Sequence, residues 1–478
     1  MPLLFTALML ACALYPPVRQ NPRLLWSFLG TGAVLLAWSG VLLVSALRHR
    51  RTFTLEIALR AQHYVQACAH TSILLYWGWY WRPVYESAYL IVAQLFFAYA
   101  FDMLLGWLRR DTYTLGFGPF PIVLSTNLFL WFRPDWFYLQ FVMIALGFAA
   151  KEFVRWNKDG RQTHIFNPSS FTLTIFSLAL ILTGASDITW GQDIAITQFY
   201  PPHMYLFLFL VALPGQFLFG VTTMTMSAVV TTYLFGLGYY AVTGTYYFFD
   251  SYIPIAVFLG MHLLFTDPST APRTELGRMM FGALYGLSTV ALYALLGLAG
   301  VPTFYDKLLQ VPLLNLSIKS IDRVVRSEAL RRFDPAAIGR SLSGRRRNLA
   351  YMSVWVMVFA IMSAAQGVGD RHRGQWIPFW QQACQQNRVN ACQYLVQLHT
   401  IYCRAGSGWS CNELRILQAD KEMDRPGSSG SPPFEELPIL LRGSKGPITD
   451  RSFVSLYSRA CDQGWPDSCG RVANSDDR

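Results

Sequence analysis

The chain has 478 residues, of which 53% are hydrophobic and only 14% are charged. Soluble domains carry roughly 25% charged residues, so this composition excludes an ordinary soluble protein. The formal net charge of +11 is compatible with nucleic-acid binding, but the Lys and Arg residues are divided among short stretches between apolar runs, which indicates membrane topology and no nucleic-acid partner.

Apolar runs of membrane-spanning length recur up to residue 366, with short polar breaks between them. Because a backbone in the lipid bilayer must satisfy its own hydrogen bonds, these runs predict an all-α fold, a polytopic transmembrane helical bundle of about 11 to 13 spans. The two shortest runs, about 3–16 and 252–266, are alternatively re-entrant segments. We place the spans at about 3–16, 24–47, 64–81, 85–107, 116–132, 137–154, 165–184, 202–220, 223–243, 252–266, 277–299, 302–318 and 349–366.

Lys and Arg residues concentrate in alternate loops between these spans, roughly twenty on one side against five on the other. The richer side is expected to be cytoplasmic, which places the N-terminus inside and exports everything after residue 366 if the number of spans is odd. The predicted parts are N-terminal transmembrane helices at 1–84, a transmembrane core at 85–330, a basic cytoplasmic loop at 331–348, a last transmembrane helix at 349–366 and an exported module at 367–478, with a flexible insertion at 419–450.

Six cysteines of the exported module form three pairs, and the members of each pair are eight positions apart. In one continuous helix this separation is about 12 Å of rise, beyond the roughly 7 Å between bridged Cα atoms, so the chain must turn within each pair. We therefore predict α-helical hairpins closed by disulfides; the alternative, a zinc site, lacks the usual C-x₂-C spacing, and no metal site is predicted. The pairs are Cys384 with Cys392, Cys403 with Cys411, and Cys461 with Cys469.

Two of these hairpins resemble a known repeat. The segments Ala-Cys-Gln-Gln-Asn-Arg-Val-Asn-Ala-Cys, ending at Cys392, and Ala-Cys-Asp-Gln-Gly-Trp-Pro-Asp-Ser-Cys, ending at Cys469, are similar to the cysteine-rich, Sel-like helical repeats of bacterial secreted proteins. The middle pair lacks the alanine before either cysteine. The resemblance implies a repeat module that docks an extracytoplasmic protein partner.

Three polar motifs interrupt the apolar core. In the first, Pro268 and Pro272 push the residues before them out of helical geometry, which predicts a kinked, polar turn at Asp267 to Thr270. In the second, Asn167 suits the N-cap of a helix and Pro168 suits its first position.

The third motif is Asn315, which lies inside an apolar span and therefore needs a hydrogen-bond partner from another helix, a ligand or a water-filled path. For the second and third motifs, a capped helix and a helix-to-helix hydrogen bond remain the purely structural alternatives.

Together the motifs resemble the RnfD/NqrB family, membrane subunits of ion-pumping flavin electron-transfer complexes. They read Phe-Thr-Asp-Pro-x-Thr-Ala-Pro-x-Thr-x-x-Gly-Arg, then His-x-Phe-Asn-Pro with one residue fewer than the family pattern, then an Asn-containing span ending in Ile-Asp. The resemblance covers about residues 85–330 and implies bound flavin, FMN or riboflavin, and electron transfer beside other membrane subunits in the bacterial inner membrane. The flavin-site residues that it implies are His164, Asn167, Pro168, Asp267, Thr270 and Asn315.

One departure concerns covalent flavin. Family members that carry covalent FMN attach it to a threonine in a Ser-Gly-Ala-Thr-type motif, whereas the corresponding loop here reads Thr-Gly-Ala-Ser-Asp-Ile-Thr-Trp-Gly, with Thr189 as the candidate. We therefore expect noncovalent flavin in a non-autonomous subunit of a redox-driven translocase. The alternative is a cofactor-free membrane transporter or scaffold subunit with the same fold, whose exported repeats dock a partner protein.

Overall fold

The computed structural model describes residues 1–158, 160–338, 343–366, 369, 372–419, 430–445 and 453–473. The chain divides into two compact units, which are described separately. The first unit comprises Met1–Ile196, Phe207–Val229 and Ala256–Trp355, and the second comprises Thr197–Leu206, Val230–Ile255 and Val356–Arg478.

Helices dominate the described residues, as the sequence predicts. In chain order up to residue 366 they are α1 Pro2–Ala11, α2 Pro16–Gln20, α3 Pro22–His49, α4 Ala61–Tyr80, α5 Pro83–Glu86, α6 Ala88–Arg110, α7 Pro119–Asn127, α8 Tyr138–Phe153, α9 Pro168–Thr183, α10 Gly191–Thr197, α11 Met204–Phe219, α12 Thr222–Thr243, α13 Ile255–Leu263, α14 Glu275–Leu298, α15 Gln310–Val325, α16 Glu328–Arg331, α17 Pro335–Ile338 and α18 Gly344–Gln366. The remaining helices are α19 Ile377–Gln385, α20 Ala391–Arg404, α21 Gly408–Ala419, α22 Leu437–Lys445, α23 Phe453–Asp462 and α24 Pro466–Ala473.

Four of these helices, α3, α6, α14 and α18, are long and apolar enough to cross a membrane. Two of the predicted spans contain much shorter helices, since α7 and α13 have nine residues each. Nine residues rise about 14 Å, roughly half the thickness of the hydrocarbon core, so neither helix crosses a bilayer by itself. The alternative that 252–266 is a re-entrant segment is compatible with the short α13, whereas 116–132 was expected to be a full span.

Two small sheets, which the sequence analysis did not predict, join helices of the first unit. Strand β1 Thr54–Ile57 pairs in parallel with β2 Thr112–Leu115, and β3 Arg155–Lys158 pairs antiparallel with β4 Arg161–His164. The β3–β4 hairpin leads directly into α9 and places His164 at its end.

An aromatic core holds the N-terminal helices of the first unit together. Phe28 of α3 meets Phe141 of α8 edge-on at 5.5 Å between ring centroids, and Phe97 of α6 lies 5.0 Å from the same ring. All three rings are almost completely buried. Edge-to-face and tilted aromatic pairs add stabilisation beyond the burial of area, so these contacts fix the spacing of α3, α6 and α8.

The second unit contains the three predicted disulfides. Cys384–Cys392 links α19 to α20, Cys403–Cys411 links α20 to α21, and Cys461–Cys469 links α23 to α24, with Cα atoms 4.6, 4.6 and 4.7 Å apart. The turns between them contain residues in left-handed conformation, namely Asn387, Asn390, Gly406 and Gly464. The helical hairpins predicted from the eight-residue spacing are therefore confirmed.

The predicted flexible insertion at 419–450 falls partly on residues outside the described ranges, namely 420–429 and 446–450. Its described part forms a 3-10 turn, Phe434–Glu436, followed by α22. The Glu436 carboxylate accepts a hydrogen bond from the Trp409 amide at 2.9 Å, at the start of α21. The predicted basic loop at 331–348 likewise contains residues 339–342, which lie outside the described ranges.

Candidate functional site

The helix α9 begins as its sequence predicts. Asn167 is its N-cap, and the side-chain Oδ1 of Asn167 accepts hydrogen bonds from the amides of Ser169 and Ser170 at 3.0 and 3.2 Å. Pro168 occupies the first helical position, where its missing amide hydrogen costs nothing. These hydrogen bonds fix the orientation of the Asn167 side chain at the N-terminus of α9.

The polar turn at Asp267 also has the predicted geometry. Asp267 and Ala271 are both extended, and Pro268–Thr270 forms a single 3-10 turn between them. The Asp267 Oδ1 accepts a hydrogen bond from the Ser269 amide at 2.9 Å, and the Thr270 hydroxyl donates to the Asp267 carbonyl at 3.3 Å. One carboxylate oxygen of Asp267 thus holds the turn, which leaves Oδ2 for another partner.

That partner is His164, which lies 103 residues earlier in the chain: His164 Nε2 and Asp267 Oδ2 are 2.7 Å apart. Asn315 connects the start of α9 to the Asp267 turn. Its Oδ1 accepts a hydrogen bond from the Asn167 amide at 3.2 Å, and its Nδ2 donates to the Thr270 carbonyl at 3.3 Å. All six residues are therefore in one place. We call His164, Asn167, Pro168, Asp267, Thr270 and Asn315 the motif cluster.

Thr189 is the one predicted site residue that lies elsewhere. It follows the far end of α9, a helix of 16 residues that starts at the motif cluster, so about 24 Å of helical rise separates the two ends. Thr189 is buried, its hydroxyl donates to the Ser186 carbonyl at 2.8 Å, and its backbone bridges to Phe132. The structure thus gives Thr189 a local structural role.

A cavity of about 560 Å³ opens beside the motif cluster. His164, Asn167, Pro168 and Asp267 form part of its wall, and the side chains of His164 and Asp267 keep 16% and 18% of their surface exposed. Binding sites for cofactors and drug-sized molecules typically measure roughly 300 to 1,000 Å³. The pair at the centre of the cluster is therefore within reach of a ligand of that size.

The charge of the cavity wall is mixed, with an excess of cations. Four basic side chains and three carboxylates contribute to it, and one of the carboxylates, Glu152, is paired with Arg110 at 3.0 Å. The cations are Arg60, Arg110, Lys151 and Arg155, and the carboxylates are Asp102, Glu152 and Asp267. This composition favours a polar ligand that carries negative charge.

Two groups at the cavity have shifted pKa values. Burial raises the pKa of the Asp267 carboxyl, but the adjacent His164 and the hydrogen bonds from Ser269 lower it by more, so the pKa lies below the ordinary value of an aspartate. Burial, together with the positive charges of Lys151 and Arg60, lowers the pKa of His63. At neutral pH the wall therefore presents an ionised Asp267 and a neutral His63.

The residues also fit a flavin in chemical type. The polar groups at the motif cluster and the buried hydroxyl of Thr163, which has no hydrogen-bond partner among the described residues, suit the polar edge of an isoalloxazine ring. Apolar wall residues such as Ile122, Phe219 and Leu263 suit its hydrocarbon edge. The cations suit the phosphate that distinguishes FMN from riboflavin.

Sequence reasoning missed most of the cavity wall. His63 of α4, Lys151 of α8 and Gln162 of β4 reach it from elements that only the packing of helices brings together. For the β3–β4 hairpin, a local signal existed: Asp159-Gly160 stands between two short runs, and an Asp-Gly pair favours a hairpin turn, although the polar runs lack the alternating hydrophobic residues that make this signal strong. That signal predicts the position of His164.

Two ionisable residues of the apolar core have different surroundings. His262 is buried, its Nδ1 lies 2.7 Å from the Phe258 carbonyl, and its own carbonyl accepts from Thr266 at 2.9 Å, which ties the end of α13 to the turn. Asp102 lines the cavity, and Arg109, about two turns further along α6, lies 3.9 Å from Glu152. The described part of the chain contains no group of three or more His, Cys, Asp or Glu side chains suited to a metal ion.

The fold and this cavity define an α-helical protein that has helices able to cross a membrane and a polar, charged cavity in its first unit. The chain matches no protein-family model, no curated protein and no solved structure. Its function is therefore inferred from the motifs and their geometry.

Proposed function

We propose that the chain is a membrane subunit of an electron-transport complex, similar to RnfD/NqrB, that binds flavin noncovalently in the cavity beside the motif cluster. The observation that supports this most is the meeting of three motifs that are 103 and 148 residues apart, through His164–Asp267 and Asn167–Asn315. Local capping and turning do not require these motifs to meet, and two of them, through His164, Asn167 and Asp267, also line the cavity.

In this proposal each group of wall residues has a separate task. Asp267 and His164 would hydrogen-bond polar atoms of the flavin, the Ser269 amide holds the Asp267 carboxylate in position, and Lys151 with the neighbouring arginines would neutralise the phosphate of FMN. Bound flavin supplies redox chemistry by one or two electrons. Coupling to cation translocation would belong to the assembled complex.

The cellular placement is part of the same proposal. The excess of Lys and Arg in alternate loops supports a polytopic protein of the bacterial inner membrane with a cytoplasmic N-terminus and an exported repeat module. The three disulfides support export, because such bonds persist in oxidising compartments. The partners are then other membrane subunits, the lipid bilayer and an extracytoplasmic protein that docks on the repeats.

A second function, a cofactor-free transporter or scaffold subunit with the same fold, is favoured by one observation. Asn167 and Asn315 bond to protein groups through both their side-chain oxygen and their side-chain nitrogen, and Asp267 through both carboxylate oxygens. A network with every polar group bonded is also what these residues need if they only hold three chain segments together. The two functions differ in whether Asp267 is needed for binding flavin.

The substitution Asp267→Asn separates them. It keeps the shape of the side chain but removes the charge that pairs with His164, and the loss of a charge-assisted hydrogen bond costs about 1–3 kcal/mol. We expect purified D267N to contain at least tenfold less flavin per protein, by absorbance, than the wild type. D187N is the matched control, because Asp187 is exposed in the loop beyond α9.

Flavin content equal in D267N, D187N and the wild type, with only the Tm lowered in D267N, would support the scaffold function and contradict the flavin site. Measuring the Tm and the flavin content on the same preparations keeps a folding defect distinct from a binding defect.

A further inference from the structure

A second concavity of the first unit carries a marked excess of positive charge. It has a volume of about 440 Å³, and its lining includes four basic side chains against one carboxylate. The basic residues are Lys158, Lys319, Arg323 and Arg326, and the carboxylate is Asp322.

The helix α15 supplies most of this charge from one face. Lys319 and Arg323 lie in its last turns and Arg326 is its C-cap; the spacings of four and three positions place the three side chains on the same side of the helix. The Lys319 ammonium lies 4.5 Å from the ring centroid of Trp156, on β3, which holds it toward the concavity. The strand β3 also supplies the fourth cation, Lys158, at its end.

Among the described residues of the lining, Asp322 is the one carboxylate, and its position is fixed by the backbone. Asp322 is largely buried, and its Oδ1 accepts a hydrogen bond from the Arg273 amide at 2.9 Å, so that oxygen is committed to the backbone. Lys158 is also buried and donates from Nζ to the Ala271 carbonyl at 2.6 Å. The exposed cations are those at the rim, Lys319, Arg323 and Arg326, where an incoming anion meets them first.

Membrane topology explains why a cytoplasmic segment is rich in Lys and Arg, but it does not require them to converge on one concavity. Convergence of like charges raises their mutual repulsion, and a bound anion relieves it. Guanidinium groups bind phosphate oxygens through two parallel hydrogen bonds, and basic pockets beside membrane helices bind lipid headgroups.

We propose that this concavity is a binding site for a phosphate-bearing anion, supplied either by the headgroup of an anionic phospholipid or by a soluble phosphate compound. The site is separate from the flavin cavity and holds whether or not the chain binds flavin. It does share one segment with the motif cluster: Lys158 and Asp322 hold the backbone of Ala271 and Arg273, which directly follows the Asp267 turn.

The test compares K319Q/R323Q with the matched double variant R331Q/R332Q in the full-length protein, purified in detergent. Both variants remove two positive charges from exposed positions of neighbouring segments, but Arg331 and Arg332 lie outside the concavity. Native mass spectrometry counts bound phosphatidylglycerol, with zwitterionic phosphatidylcholine as the reference lipid. Inorganic phosphate is then titrated as a competitor, and the Tm of each variant checks its folding.

We expect K319Q/R323Q to weaken phosphatidylglycerol binding about tenfold or more, because two cations of the lining are lost, while R331Q/R332Q changes it by less than about threefold. Phosphatidylglycerol retained against millimolar phosphate identifies the lipid headgroup as the source. Phosphate that binds the wild type but not K319Q/R323Q, without preference between the two lipids, identifies a soluble ligand. Equal binding of both anions by the two double variants would overturn the proposal.

Discussion

Asp267 and Asp250 show how the same residue type takes opposite roles in this molecule. Asp267 is partly buried beside a histidine and an amide donor, which together stabilise its charge. Asp250, in the second unit, is partly buried with a weaker donor, the Ser251 hydroxyl at 3.2 Å, and desolvation raises its pKa to about 6. Charge at Asp267 therefore stabilises the fold, whereas charge at Asp250 opposes it.

The raised pKa of Asp250 predicts a pH dependence of stability. Between the ordinary pKa of about 4 and the folded-state value of about 6, the folded protein binds more protons than the unfolded chain, so the free energy of unfolding falls as the pH rises through this window. The loss is roughly 1–3 kcal/mol. Unfolding by denaturant at pH 4 and pH 7 is expected to show it in the wild type.

In D250N that part of the pH dependence is expected to disappear, so that the variant gains stability relative to the wild type at pH 7 but not at pH 4. If the free energies of unfolding of D250N and the wild type differ by the same amount at pH 4 and pH 7, the raised pKa of this carboxyl is contradicted.

At the scale of elements, the contact between α12 and α14 depends on a glycine. Thr223 donates to Glu275 Oε2 at 2.8 Å, and Ser227 donates to the Met279 carbonyl at 2.7 Å, so the two helices approach closely along one face. A Cβ added at Gly282, one turn further along, would lie 2.1 Å from the Met224 carbonyl oxygen. Small residues allow such close approach between membrane helices.

The substitution Gly282→Ala is therefore expected to push the two helices apart and to cost about 1–3 kcal/mol. Gly297→Ala on the same helix is the control, because its added Cβ would meet nothing closer than Thr303 Cγ2 at 4.0 Å. That change should be neutral or stabilise by up to about 1 kcal/mol through helix propensity. Thermal unfolding in detergent measures both, and equal Tm values would exclude the close contact.

Elements with local signals could be predicted from the sequence, and elements set by packing could not. Asn167 and Pro168 predict the start of α9, because they suit the N-cap and the first helical position, and the two prolines after Asp267 predict the turn. The shortness of α7 was not visible, because the apolar run continues past its end at Asn127 into buried residues without helical structure. An apolar run indicates that a segment is buried, but it does not show whether the segment is helical or irregular.

For the whole molecule, the same distinction applies to the candidate site. The motif residues could be listed from the sequence, and the disulfide hairpins followed from spacing alone. The cavity itself could not be predicted, because its wall joins His63, Lys151 and Asp267 from helices and turns distant in the chain. Only the packed structure shows that His164, Asn167 and Asp267 line a volume that a ligand can occupy.

The central claim is that this molecule holds flavin without a covalent bond, and an absorbance and fluorescence spectrum of the detergent-purified, full-length protein tests it most directly. The protein is measured before and after acid precipitation, with circular dichroism to establish that it is folded. We predict flavin absorbance in the intact protein and its release into the supernatant by acid. Flavin retained in the pellet would contradict noncovalent binding, and a folded protein without flavin absorbance would contradict the flavin site.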